Sequence, residues 1–126
     1  MSKSPHPRTW SPVRRVMSIR DALRGVLYTL ASEPHAQLHA VATFGVIALC
    51  LWLDVEAWRW AAVLLAIGIV WVAELLNTAL ERLCDAVHPE HHPLIGKAKD
   101  AAAGAVLVAS LLAAAVGVVV LVGCRV

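Results

Sequence analysis

The chain has 126 residues, of which 60% are hydrophobic and 16% charged, with a formal net charge of +2 and a mean hydropathy of +0.71. That composition excludes intrinsic disorder and is too apolar for an ordinary soluble globule. No Asp, Glu, Lys or Arg lies between Glu33 and Asp54, between Arg59 and Glu74, or between Asp100 and Arg125, so the apolar residues are gathered into blocks of membrane-spanning length.

Residues 1–12, with Pro5, Pro7 and Pro12, are expected to form a flexible tail ahead of a single membrane domain over 13–126. The first 32 residues lack the apolar core and cleavage site of a secretory signal. Ser11-Pro12 reads as an N-cap followed by a first-turn proline, which predicts a helix over about 13–32. In it Val16, Ile19, Leu23, Val26, Leu27 and Leu30 share an arc of roughly 100°, while Arg14, Asp21 and Arg24 point away. This is the pattern of an amphipathic helix lying on a membrane surface. A soluble partner would select the same stripe, but three spans follow at once. Residues 1–32 hold Lys3, Arg8, Arg14, Arg15, Arg20 and Arg24 against Asp21 alone, which suits an anionic membrane face. No nucleic-acid-binding module accompanies these charges, so nucleic acid is not an expected partner.

Ser32-Glu33-Pro34 ends the surface helix, because a residue before proline avoids the α region. A first span is predicted over about 34–53, interrupted only by His39 and Thr43 in its apolar stretch from Leu38 to Leu53. Asp54-Val55-Glu56 forms a tight outer turn, a second span covers about 57–81, residues 82–99 are read as a polar connection, and a third span covers about 100–124. The basic N-terminal segment, with Arg82, Lys97 and Lys99 between the last two spans, sets the N-terminus in the cytosol and the C-terminus outside. Trp52, Trp58 and Trp60 gather at the outer turn, where indoles favour the interface. Ala101, Ala105, Ala109, Ala113 and Gly117 form a small-residue seam for close helix approach, and a bundle of only three spans is expected to form a homo-oligomer. Cys50, Cys84 and Cys124 are widely spaced and imply neither a disulfide framework nor a zinc site.

The second span is more than an anchor. Glu74, Asn77, Glu81 and Asp85 lie within about 80° of one another on one helical face, a stripe climbing ~16 Å from the hydrocarbon to the interface. A carboxylate in hydrocarbon costs a few kcal/mol, so Glu74 needs a partner or a purpose; helix glue is the plain alternative. Glu33 starts the first span on the same membrane side as Glu81, and the two can share a divalent cation. Few, hard oxygen ligands suit Mg²⁺ with water and phosphate completing its shell. Taken alone, Glu33 is a favourable acid at a helix N-terminus. Lys97, Lys99 and Asp100 open the third span, where ammonium groups either snorkel or receive polyphosphate. The run His88-Pro89-Glu90-His91-His92-Pro93 fits no standard zinc spacing and is read as a loop covering a ligand, and no Walker A sequence is present. Acidic Mg²⁺ ligands, a basic helix start and a membrane setting together describe phosphoryl transfer to a lipid, with Glu74 placed as the base that accepts the hydroxyl proton.

The blocks from Glu74 to Glu81 (E-L-L-N-T-A-L-E), then Asp85, then Lys97 to Leu107 (K-A-K-D-A-A-A-G-A-V-L), resemble the bacterial integral-membrane diacylglycerol kinase and undecaprenol kinase family. The resemblance runs over about residues 13–122 and includes Ala22-Leu23-Arg24-Gly25 and Glu33. It implies a homotrimer in the bacterial inner membrane, with active sites shared between neighbouring subunits and MgATP-dependent phosphorylation of a lipid alcohol. By motif match Glu74 is the general base, Glu33 and Glu81 bind metal, and Glu90, His91, His92, Lys99, Asp100 and Arg14 contact nucleotide, with Asn77 and Asp85 in a supporting polar network.

Gln37 stands where many relatives carry arginine, and Asp21 lies near a position that is aromatic in enteric diacylglycerol kinases. His39, the Asn77-Thr78-Ala79 wording and Ala102-Ala103-Gly104-Ala105-Val106 resemble undecaprenol kinases more, and undecaprenol is the favoured of the two alcohols. Two non-kinase alternatives are a structural membrane subunit and a small proton-coupled carrier. The carrier would need a polar partner in the outer half of a span, which the sequence lacks.

Overall fold

A computed structural model describes residues 12–123, apart from the side chains of Val13 and Arg14. The tail over residues 1–11 and the contacts of the Arg14 side chain therefore lie outside the described residues. The architecture is all-helical: α1 (Pro12–Ser32), α2 (Pro34–Trp52), α3 (Ala57–Val87) and α4 (Pro93–Gly123). The last three are long and apolar enough to cross a membrane.

Proline sets the first boundary. Glu33 is held extended (φ −112°, ψ 116°) by Pro34, which opens α2, so a single residue separates α1 from α2. The Glu33 N–H still donates to Thr29 O at 2.9 Å, and its carbonyl accepts from Gln37 N at 3.2 Å. On α1, Val16, Ile19, Leu23 and Leu27 stay exposed, and Asp21 lies 3.8–3.9 Å from Arg24 and Arg20.

The turn from α2 to α3 is as tight as its sequence predicts. Asp54 adopts φ 48°, a left-handed conformation that aspartate tolerates better than most residues. The adjoining backbone folds back through Val55 N to Cys50 O at 3.3 Å. Cys50, Val55, Val63 and Val120 bury themselves here, with Val46, Trp60, Ile67 and Val116 packed around them. At this end Arg59 reaches across to α4 and donates to Val120 O at 2.9 Å and Gly123 O at 2.8 Å. A guanidinium there satisfies end-of-helix carbonyls and complements the negative end of the helix dipole. Gly123 admits it: a Cβ at that position would sit 3.1 Å from Arg59 Nη1.

The other end departs from expectation. Residues 82–99 do not form a long polar connection: α3 runs on to Val87 and α4 starts at Pro93, leaving five residues between them. Nothing between Arg82 and Val87 breaks a helix, whereas His88-Pro89 does, and Pro93 is suited to a first helical turn. His92 caps α4, its Nδ1 accepting from Leu94 N at 3.2 Å and its carbonyl from Gly96 N at 3.0 Å. At 31 residues each, α3 and α4 are about 46 Å long, well beyond a ~30 Å hydrocarbon layer. Their polar turns therefore stand outside it.

The α3–α4 pair is the most extensively packed, and α1 and α2 touch the bundle more lightly. The small-residue seam of α4 is shared between its neighbours. A four-residue step advances about 40° round a helix, so the seam winds. Ala101, Ala105 and the buried Ala109 line a groove with Gly68 and Ala73 of α3, and Ala113 and Gly117 turn toward α2. Only 11%, 22% and 11% of the apolar windows of α2, α3 and α4 are buried within the chain, so most of each span is not covered by the chain itself.

Replacing the clamp by Arg59→Leu should destabilise the protein by about 2 kcal/mol, the worth of hydrogen bonds from a charged donor. Thermal unfolding in detergent, with Arg20→Leu on exposed α1 as control, checks this.

Candidate functional site

The polar stripe of α3 forms as the periodicity predicts, and it starts in the interior. Glu74 is 2% exposed and Thr78, one turn on, is 3% exposed, whereas Glu81 is half-buried and Asp85 exposed. The carboxylate of Glu74 is met from α2: its Oε2 lies 3.7 Å from His39 Nε2. One turn further from the polar end, Trp71 Nε1 donates to Thr43 Oγ1 at 3.1 Å.

Further toward the polar end, Asn77 Nδ2 donates to Glu81 Oε1 at 3.3 Å. Asn77 Oδ1 and Thr78 Oγ1 are buried without a hydrogen-bond partner, so two oxygen acceptors remain open along the stripe. Glu33 does come to this end of α3, but its carboxylate is bound by Arg82, the residue after Glu81. The Arg82 guanidinium also lies 5.6 Å from the ring centroid of Tyr28 on α1. Lys99 Nζ reaches from α4 to Asp85 Oδ1 at 2.9 Å. Glu90, His91, Lys97 and Asp100 are exposed around the short connection, where His88 and His92 meet edge to face at 5.5 Å.

These contacts gather most of the expected residues at one end of the bundle and leave them as separate pairs. Among the described residues, no group of three or more His, Cys, Asp and Glu side chains is arranged to hold a metal ion. The donors present are nonetheless of the right kind for Mg²⁺: the carboxylates of Glu33 and Glu81, with the open carbonyl oxygen of Asn77 beside the latter. Two carboxylates with phosphate and water are an ordinary Mg²⁺ arrangement, so the residues fit the ion without a third protein acid.

Two partners were not foreseen from sequence. His39 was legible as a polar interruption of an apolar span and as a mark of likeness to undecaprenol kinases, and Arg82 as a positive charge on one side of the membrane, but neither as a partner of a carboxylate. The usable signal for both is register: α2 and α3 run antiparallel, and stepping 33, 39, 43 along α2 matches stepping 82, 74, 71 along α3.

The profile of the family described as prokaryotic diacylglycerol kinase matches residues 20–121, which include every expected site residue except Arg14. The chain belongs to the prokaryotic diacylglycerol kinase family. It is 37% identical over 97 residues to the undecaprenol kinase of Bacillus subtilis, covering 77% of this chain and 79% of that one. It is 40% identical over 103 residues to the diacylglycerol kinase of Synechocystis sp., covering 81% of this chain and 59% of that longer relative. It is 31% identical over 90 residues to the diacylglycerol kinase of Escherichia coli K12, covering 71% of this chain and 74% of that one. As a member of the diacylglycerol kinase family the protein is a lipid kinase, a phosphotransferase acting on an alcohol, and the structural-subunit and carrier readings fall away.

The Asp85–Lys99 pair is solvent-exposed, so Asp85→Asn should change stability by less than about 1 kcal/mol. Thermal unfolding of the variant in detergent beside its kinase activity separates the two roles: activity lost without stability means that the pair serves the reaction.

Proposed function

We propose that the protein transfers the γ-phosphate of MgATP to the hydroxyl of a membrane lipid alcohol at the cytosolic face of the bacterial inner membrane. The carrying observation is Glu74, a carboxylate 2% exposed inside a span with a polar stripe leading from it to the helix end. Such a group is costly to insert and is suited to accept a proton from a hydroxyl delivered through the lipid phase. The lipid oxygen forms a bond to the γ-phosphorus, the bond from that phosphorus to the bridging oxygen breaks to release ADP, and the hydroxyl proton passes to Glu74. When bound, Mg²⁺ offsets the charge of the phosphates. Glu33 and Glu81 would hold it, Glu33 through the carboxylate oxygen that Arg82 does not contact or in exchange for Arg82. Lys99, Asp100, Glu90, His91, His92 and Arg14 surround the nucleotide, with Asn77 and Asp85 in support. Of the two alcohols, undecaprenol is the first to test, on the wording of the Asn77-Thr78-Ala79 and Ala102–Val106 segments.

The same proposal takes α1 as an amphipathic helix on the membrane surface, its exposed Val16, Ile19, Leu23 and Leu27 facing lipid. The N-terminus is cytosolic and the C-terminus outside, and residues 13–126 act as one kinase domain after the tail. Three copies assemble, which would cover part of the span surface that one chain leaves open. In such an assembly a neighbouring subunit can complete the site whose polar residues form only pairs within one chain.

The test is transfer of labelled γ-phosphate from MgATP to diacylglycerol and undecaprenol offered in parallel. One lipid should be labelled, and Glu74→Gln should lower the rate on the order of 10²- to 10⁴-fold with assembly unchanged on size-exclusion chromatography. Glu33→Gln and Glu81→Gln should each raise the Mg²⁺ concentration needed for half-maximal rate by about 10-fold, and an unchanged Mg²⁺ titration would remove that carboxylate from the metal site.

A further inference from the structure

The described residues give Glu74 one polar partner, and it comes from another helix. His39 Nε2 stands 3.7 Å from Glu74 Oε2, with the histidine side chain 17% exposed and the carboxylate side chain 3% exposed. His39 also borders an apolar cavity of about 440 Å³ between α2, α3 and α4, beside Leu38, Thr43, Ile67 and Ser110. It thus stands between that cavity and the carboxylate. The contact is not accidental in register: the Trp71–Thr43 hydrogen bond crosses the same two helices one turn away and fixes how α2 slides along α3. At 3.7 Å the contact is longer than a hydrogen bond, a separation from which the two groups can close to hydrogen-bond distance by a small side-chain rotation.

We propose that His39 is a positioning residue for the phosphoryl transfer: with its hydrogen on Nε2, it holds Oε2 of Glu74 so that the other carboxylate oxygen is presented to the lipid hydroxyl. This rests on Glu74 being the base. A carboxylate in a low-dielectric span is free to rotate toward whichever dipole is nearest, and a fixed donor on the facing helix removes that freedom. Misplacement of a reacting group by about 1 Å costs on the order of 100-fold in rate, so the effect belongs in kcat. Thr43 and Trp71 contribute by holding the register and touch neither reactant.

The experiment uses the full-length protein in mixed micelles with MgATP and with diacylglycerol and undecaprenol as acceptors, comparing His39→Leu, His39→Asn, His39→Gln, Glu74→Gln and the double variant His39→Leu/Glu74→Gln. Gln can bring an amide nitrogen to about the place of Nε2, and Asn is too short. His39→Leu and His39→Asn should lower kcat about 10-fold or more with both KM values within about 3-fold, His39→Gln should stay within about 3-fold of the parent, and the double variant should be no slower than Glu74→Gln alone. Equal losses in Asn and Gln, a kcat for His39→Leu within about 2-fold of the parent, or a further fall in the double variant would overturn the positioning role. Should His39→Leu fail to assemble, the Asn and Gln pair decides by itself. If Glu74→Gln is as active as the parent, the base assignment fails and the role of His39 with it. If only the His39 variants are fully active, the base assignment stands and this proposal alone fails.

Discussion

A carboxylate inside an apolar span must be met by another polar group, and the rest of this structure is arranged around how Glu74 is met. Its cost in hydrocarbon is a few kcal/mol, comparable with a good part of the stability of a small bundle. The facing helix supplies His39, and two further cross-links, Glu33 with Arg82 and Thr43 with Trp71, keep α2 and α3 in the one register that brings the pair together. Shifting α2 by one residue would rotate each of these groups by about 100° away from its partner. Burial of the acid and pairing of the helices thus draw on the same contacts.

Toward the polar end the chemistry changes from burial to exchangeable charge. Glu33, Arg82, Asp85 and Lys99 neutralise one another in pairs that are partly open to water, and such pairs are weak. Weakness is useful where a polyanion and its counter-ion have to enter. On the proposed reading, each carboxylate would pass from its ammonium or guanidinium to a metal ion, and each cation from its carboxylate to a phosphate, at little net cost. The buried stripe has no such freedom, and its open acceptors, Asn77 Oδ1 and Thr78 Oγ1, lie between the two regimes.

Much of the fold was legible in the sequence because bilayer thickness and proline act locally. Charge-free blocks gave the three spans, Pro12 and Pro34 gave the starts of α1 and α2, and Asp54 gave the turn. The length of the connection before α4 was misread because charge was taken to mean loop, whereas Arg82, Asp85, Lys97 and Lys99 stand on the helical ends of α3 and α4. At the site, the carboxylates on α3 were visible from their spacing along one element. Their partners His39 and Arg82 were not, because a contact between helices depends on register and rotation, neither of which a one-dimensional pattern records.

The Arg59 clamp has a mechanical consequence. It pins the first turn of α3 to the last carbonyls of α4, while the opposite ends of those helices are joined by a connection of five residues and by exposed ion pairs. The firmest attachment of the pair is therefore at the end away from Asp85 and Lys99. Over about 46 Å of helix, each degree of difference in crossing angle at the clamp corresponds to about 0.8 Å at the polar end, so the packing around Arg59 sets the spacing of Asp85 and Lys99 from far away.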